Sequence, residues 1–143
     1  NQFYQYEVSS WSKKNKYRNH NLNYWMYGDY LGVGPGAHSK ITMNESIKRM
    51  IKLKAVQSYI DAPSKTKDFF INSESYDLDL AMNLLRIKQG ISFKEIEEKG
   101  IYIPDTFMEK RLEGIEKGLL DKEGIKASSI GYKFLNDTIN LFS

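Results

Sequence analysis

The sequence has 143 residues, no cysteine and a net charge of +3, with 41% hydrophobic and 27% charged residues. This is the composition of an ordinary globular protein with one domain or two small ones. The lack of cysteine excludes disulfides, thiolate metal sites and a cysteine nucleophile among these residues. The charge excess is local, because the first forty residues carry five basic and two acidic side chains while the others carry 16 of each.

The first forty residues predict short strands and loops. Residues 3–8 alternate and are rich in β-forming side chains, which predicts a strand. Residues 9–23 are polar and predict a loop, and residues 30–34 predict a second strand weakened by glycine. Nine aromatic residues fall between Phe3 and Tyr30. This surplus indicates a ligand or a partner surface that covers it.

The remaining sequence predicts mostly helices. Asn44 suits the cap of a helix to Ile60, and a linker follows over 63–74. Helices are predicted over 77–89, from a capping box at Ser92 to Gly100, and over 104–118. A hairpin over 119–127 and a closing helix over 128–142 complete the chain. Residues 75–143 therefore predict a winged-helix-like unit.

Both histidines lie near the aromatic residues and a glycine-rich run. His20 and His38 are too few, without a carboxylate cluster, for a convincing zinc site. A haem site needs only one or two axial ligands to the iron, together with flat apolar walls. The histidines are candidates for the ligand. The candidates for the walls are Tyr24, Trp25, Tyr27 and Tyr30. The plainer alternative, in which His20 forms a structural hydrogen bond and the rings pack internally, stays open at this point. The glycines follow a G-x-G-x-G pattern, which favours a tight turn over a dinucleotide site.

The predicted third helix of the winged-helix-like unit argues against nucleic-acid binding. Between Pro104 and Gly118 it carries four acidic and three basic side chains. A helix that enters the major groove is normally basic, because phosphate contacts supply much of the affinity. We therefore expect this unit to contact protein rather than DNA, and we expect no nucleic-acid partner.

Three motifs occur in a characteristic order: Tyr6-Glu7-Val8-Ser9, His20-Asn21-x-x-Tyr24-Trp25, and Gly32-x-Gly34-Pro35-Gly36-Ala37-His38-Ser39. Together they resemble the C-terminal part of HemW-like radical S-adenosylmethionine (SAM) proteins, which are related to oxygen-independent coproporphyrinogen III oxidases. The resemblance continues through Leu84-Leu85-Arg86, Gly118-Leu119-Leu120 and Ser128-x-x-Gly131, so it covers nearly the whole chain.

The resemblance implies an α+β, mainly helical fold. Residues 1–62 would be the last strands of a partial (β/α) radical SAM barrel with a following helix, and residues 75–143 a winged-helix-like C-terminal domain. The expected function is haem binding and transfer, as in a haem chaperone. The alternatives are oxidative decarboxylation of coproporphyrinogen III and a winged-helix interaction module without chemistry.

The resemblance also implies a set of ligands. We expect haem, SAM and a [4Fe–4S] cluster in the intact protein, with the cluster cysteines outside this sequence. The haem candidates are His20, Asn21, Tyr24 and Trp25, with His20 as the iron ligand. The candidates near SAM are Glu7, Gly34, Gly36 and Ala37. The expected location is the cytoplasm, and the expected partners are haem-accepting respiratory proteins, some of them membrane-associated, although this chain has no membrane span.

Overall fold

A computed structural model describes residues 2–13, 16, 19–43 and 46–143. The fold class is α+β, as predicted. The chain divides into two compact units, one formed by residues 1–27 and 74–143 and the other by residues 28–73. None of the helices in the described ranges is both long and apolar enough to cross a membrane.

The first unit begins with a short antiparallel hairpin and a helix. Strands β1 (Tyr4–Glu7) and β2 (Ser10–Ser12) pair with a bulge between Gln5 and Glu7, and helix α1 (Asn19–Trp25) follows. The predicted first strand is confirmed. The predicted loop over 9–23 is wrong, because it contains both β2 and most of α1. Helix α1 has no fully buried residue, so the apolar periodicity that normally indicates a helix is missing there.

The second unit is a three-stranded antiparallel sheet with one helix. It consists of β3 (His38–Met43), β4 (Ser46–Lys52), α2 (Val56–Asp61) and β5 (Thr66–Ile71), with the strand order β3-β4-β5. The predicted helix from Asn44 to Ile60 is wrong. Residues 46–52 form the central strand, and only residues 56–61 are helical; the proposed cap Asn44 lies outside the described residues.

Pairing between distant segments explains this error. Ile47 lies opposite Ile71, and Ile51 lies opposite Lys67. Ile47 and Ile51 are four positions apart, so they lie on the same face of the sheet. Half of the predicted linker over 63–74 is occupied by β5. The predicted strand over 30–34 is reduced to a single bridge between Tyr30 and Lys40. The division of the chain into barrel end, linker and winged-helix-like domain stays a prediction.

The rest of the first unit is a helical layer around one apolar core. The helices are α3 (Ser73–Leu84), α4 (Phe93–Glu98), α5 (Asp105–Glu116), α6 (Ser129–Lys133) and α7 (Leu135–Asn140). Leu80, Leu84 and Phe107 are fully buried, and the rings of Phe107 and Phe142 lie 4.4 Å apart. Each such side chain stabilises the fold by about 1.5–3 kcal/mol.

Local rules predicted several boundaries in this unit correctly. The capping box at Ser92 is present, and the Ser128 side chain accepts a hydrogen bond from the amide of Gly131. The predicted hairpin over 119–127 appears as one bridge between Leu120 and Ala127. The predicted closing helix is in fact two helices, α6 and α7, because the backbone leaves the helical conformation at Phe134.

Candidate functional site

Helix α1 carries all four predicted haem residues. His20 is exposed, and its Nδ1 lies 3.4 Å from Oδ1 of Asn21. The Asn21 amide nitrogen donates to the hydroxyls of Tyr6 and Ser10, each at 3.3 Å. These two donations fix the direction of the amide, so its oxygen faces His20. The His20 ring is thus contacted at its Nδ1.

Tyr24 and Trp25 form an aromatic pair at the end of α1. Their ring centroids lie 4.6 Å apart at an interplanar angle of 83°, an edge-to-face contact. The guanidinium of Arg86 lies 5.1 Å from the centre of the Trp25 ring, so a cation covers one face of the indole. Tyr24 follows His20 by four residues and therefore lies on the same helix face. The structure thus brings the imidazole and a phenol ring to one side of α1.

The end of α1 is anchored by Tyr27. This residue has a positive φ of 62°, which is uncommon for a side chain other than glycine. Its hydroxyl donates to Asp79 at 2.6 Å, and its ring packs edge-on against Tyr76 at 6.0 Å. Desolvation by burial, with the nearby charge of Asp79, raises the pKa of Tyr76 to about 12. The hydrogen bond to Asp79 and the ring contact with Tyr76 together hold Tyr27 in the left-handed conformation that follows the helix.

Glu7 is buried beside the same hairpin. Its carboxylate accepts hydrogen bonds from the amide and the hydroxyl of Ser9, at 3.1 and 3.0 Å. Burial, followed by the charge of Glu7, raises the pKa of Tyr132 to about 12. The carboxylate therefore has local donors and influences the first unit electrostatically. Its predicted place near SAM stays a prediction.

The glycine-rich run lies in the second unit and forms a tight turn. Gly34 and Gly36 have positive φ values of 113° and 69°. Gly36 donates its amide to Leu53 at 2.9 Å, Ala37 donates to Gly34 at 3.2 Å, and Gly34 donates to the Tyr59 hydroxyl at 3.2 Å. All three amides are therefore used within the unit. This arrangement matches the turn that the spacing favours, and contact with SAM stays a prediction.

The same unit contains an ion pair with a buried lysine, which no sequence pattern indicated. Lys40 is 1% exposed, and its ammonium lies 3.0 Å from Oδ1 of Asp29 and 3.0 Å from the Thr42 hydroxyl. Burial disfavours the charged form of Asp29, but hydrogen bonds from Thr42 and Lys40 outweigh it and lower the pKa. Lys40 also exchanges backbone hydrogen bonds with Tyr30. A lysine on an alternating strand is normally exposed, so only the fold reveals this pair.

His38 does not join a metal site. It lies on β3 opposite Ile51 and is exposed. Within the described ranges, no group of three or more histidine, aspartate or glutamate side chains could hold a metal ion. The two histidines lie in different units. Only His20 has a side-chain partner that orients it within the described residues.

The chain resembles proteins named for haem handling along almost its whole length. It is 36% identical over 141 residues to a HemW-like heme chaperone protein of Buchnera aphidicola from Baizongia pistaciae, covering 96% of this chain and 37% of that protein. Nearly the whole chain is therefore homologous to a part of HemW-like proteins. It is also 33% identical over 141 residues to heme chaperone HemW of Buchnera aphidicola from Acyrthosiphon pisum, again covering 96% and 37%.

Another relative connects this HemW-like chain with radical SAM proteins. A radical S-adenosyl methionine domain-containing protein 1 of Dictyostelium discoideum is 56% identical over 41 residues, which is 28% of this chain and 9% of that protein. The HemW-like chain spans about 37% of the length of the Buchnera relatives. No family model matches the chain. No solved structure matches it significantly.

Proposed function

We propose that this HemW-like chain contributes the haem-binding part of a haem chaperone, with His20 as the axial ligand of the iron. The observation that carries the proposal is the held imidazole of His20, with its Nδ1 at 3.4 Å from Asn21. Haem is the cargo here, which is bound and then passed on. The names of the Buchnera relatives support this function for the family.

The His20–Asn21 arrangement suits iron ligation. A histidine that binds a metal usually donates its other ring N–H to an oxygen acceptor, which fixes the tautomer and raises the basicity of the ligand. With the proton on Nδ1, His20 donates to Oδ1 of Asn21 and keeps Nε2 as the lone-pair donor. Asn21 is itself fixed by Tyr6 and Ser10. The exposure of His20 suits a ligand that must release its cargo.

The aromatic pair supplies apolar surface next to this ligand. Tyr24 and Trp25 are both half-buried, so each leaves part of its ring accessible. Tyr24 shares the helix face of His20, so its ring can pack beside a planar macrocycle that His20 ligates. Trp25 braces Tyr24 through their edge-to-face contact. We assign the binding of haem to His20 and Tyr24, and the support of that face to Asn21 and Trp25.

The residues of this chain fit the radical SAM cofactors less well than they fit haem. A [4Fe–4S] cluster is held by cysteine thiolates, and these 143 residues contain no cysteine, so they do not fit the cluster. The amides of Gly34, Gly36 and Ala37 are engaged within their own turn. We propose that residues 1–62 complete the end of a SAM-binding barrel, and we derive no step through SAM or the cluster.

Residues 75–143 are proposed to form a winged-helix-like unit that contacts protein. Helices α3, α4 and α5 precede the bridge between Leu120 and Ala127, and Ile91 pairs with Ile125 beside it. The cations of α5 and of its C-cap have partners within the unit or are buried: Lys110 pairs with Asp77, Arg111 is buried, and Lys117 at the C-cap pairs with Glu113. This helix therefore offers phosphate little positive charge. We propose cytoplasmic, haem-accepting respiratory proteins as partners of this surface.

Haemin titration of the full chain tests the function, and the second histidine provides a matched control. We expect His20→Ala to lower haemin affinity by more than about tenfold and to change the Soret band, since losing even an outer partner of a ligand costs about 10–100-fold. His38→Ala should leave both unchanged. Equal affinities and spectra for the two variants would remove His20 from the site.

A further inference from the structure

A cleft lies between the β1–β2 hairpin and α1. Its volume is about 490 Å³, which is within the usual size range of small-molecule sites. Its lining includes Phe3, Tyr6, Trp11, Lys13, Lys16 and Asn21. We call this feature the hairpin cleft. Asn21 connects it with α1, because the same side chain lines the cleft and orients His20.

The walls of the hairpin cleft are aromatic and accessible. Phe3 is 56% exposed and Trp11 is 60% exposed. Two large rings left in water beside a concave surface are typical of a binding site rather than of a packed core. Flat rings of this kind favour a planar, apolar ligand, which they can cover by stacking. The polar side chains of Asn21 and Tyr6 bond to each other at 3.3 Å, so part of the lining is already satisfied.

The charge of the hairpin cleft is positive. Lys13 and Lys16 are both exposed and line it, and none of the described lining residues is acidic. The amide of Lys16 donates to the carbonyl of Lys13 at 3.0 Å, which holds the backbones of the two lysines close together. Neither lysine has an acidic partner within the described residues. Two exposed lysines that line the same cleft as aromatic rings suit a flat ligand that carries two carboxylates.

We propose that the hairpin cleft binds the propionate edge of the porphyrin, with Lys13 and Lys16 pairing with its two carboxylates and Trp11 and Phe3 packing on the ring. This inference rests on the proposed haem function of α1 and adds a second contact region to it. His20 binds the iron, whereas the hairpin cleft recognises the acidic edge. The cleft therefore selects porphyrins by their carboxylates, independently of the metal.

The test compares haemin with haemin dimethyl ester, which keeps the iron and the ring but lacks both carboxylate charges. The full chain and the double variant Lys13→Ala/Lys16→Ala are titrated with each ligand at the same salt concentration. The double variant should lose haemin affinity on the order of tenfold, because each exposed pair contributes modestly. Its affinity for the ester should change less than about twofold.

The control Lys99→Ala/Lys133→Ala removes the same charge from two exposed positions elsewhere in the first unit. It should bind both ligands like the original chain. Equal losses for haemin and the ester, or no loss for haemin, would overturn the proposed lysine contacts. The same titrations separate a failure of iron ligation by His20 from a failure of carboxylate recognition by the lysines. If only iron ligation fails, His20→Ala leaves the Soret band unchanged, while the lysine variant still loses more affinity for haemin than for the ester. Far-UV circular dichroism verifies that the variants are folded.

Discussion

The ion pair between buried Lys40 and half-exposed Asp29 predicts that removing the carboxylate lowers the stability more than removing the ammonium. Asp29→Ala removes the carboxylate partner of an ammonium that is 1% exposed, while the contact of that ammonium with the Thr42 hydroxyl is kept. Breaking a buried pair in this way costs about 3–5 kcal/mol. The side chain of Asp29 is 46% exposed, so water reaches the site, and we expect about 2–3 kcal/mol, below that range. Lys40→Met leaves Asp29 with both donors of Thr42 and should cost less than about 1 kcal/mol.

Native-state hydrogen exchange of the β3 and β4 amides measures this difference in the second unit. At neutral pH, Asp29→Ala should lower protection by about 30- to 150-fold, and Lys40→Met by less than about fivefold. The lowered pKa of Asp29 gives a second signature. A carboxyl with a lowered pKa stabilises the fold above its unfolded pKa, near 4, and this contribution disappears as the pH falls through the folded value. The gap between the original chain and Asp29→Asn should therefore shrink in acid. A Lys40→Met variant that loses as much as Asp29→Ala would refute this reasoning.

Three other changes give measurable outcomes. Asn21→Ala should weaken haemin binding about tenfold without abolishing it, because it releases the ring of His20; an unchanged dissociation constant would mean that Asn21 does not orient the ligand. Arg111→Met should lower the free energy of unfolding in urea by about 2–3 kcal/mol, because the buried guanidinium donates to the carbonyls of Gly124 and Lys122 at 2.8 and 2.7 Å; Lys117→Met, an exposed control, should cost less than about 0.5 kcal/mol. Gly90→Ala should be more destabilising than Gly100→Ala, although both glycines have positive φ, because a Cβ at Gly90 would lie 2.8 Å from the carbonyl oxygen of Ile125 while Gly100 faces open space. Equal midpoints for these two alanine variants would contradict the steric argument.

Local signals predicted those parts of the fold that local interactions decide. The capping box at Ser92 and the cap at Ser128 follow from short-range hydrogen bonds, and both are present. The region from Ser46 to Ile71 was misread, because β4 and β5 are stabilised by pairing across an intervening helix. In β4 the apolar residues Ile47, Met50 and Ile51 fit a helical spacing, whereas only Ile47 and Ile51 share a face of the strand. Only the partner strand decides between the two.

The candidate site, like the fold, could be predicted from the sequence only in part. His20 could be selected from the sequence because few residue types ligate iron and the motif around it is specific. Its orientation could not, because the hydrogen bonds of Asn21 reach Tyr6 and Ser10, which precede it by 15 and 11 positions along the chain. The hairpin cleft was also missed, since residues 9–23 were expected to be a loop. Its shape depends on β2 and α1, which the polar sequence did not indicate.

The most direct test of the central claim is electron–nuclear double resonance of ferric haem bound to the full chain labelled with ¹⁵N-histidine. The account predicts a histidine nitrogen coupled to the iron, with the coupling lost in His20→Ala and kept in His38→Ala. A coupling that persists in His20→Ala, or none in the original chain, would contradict axial ligation by His20.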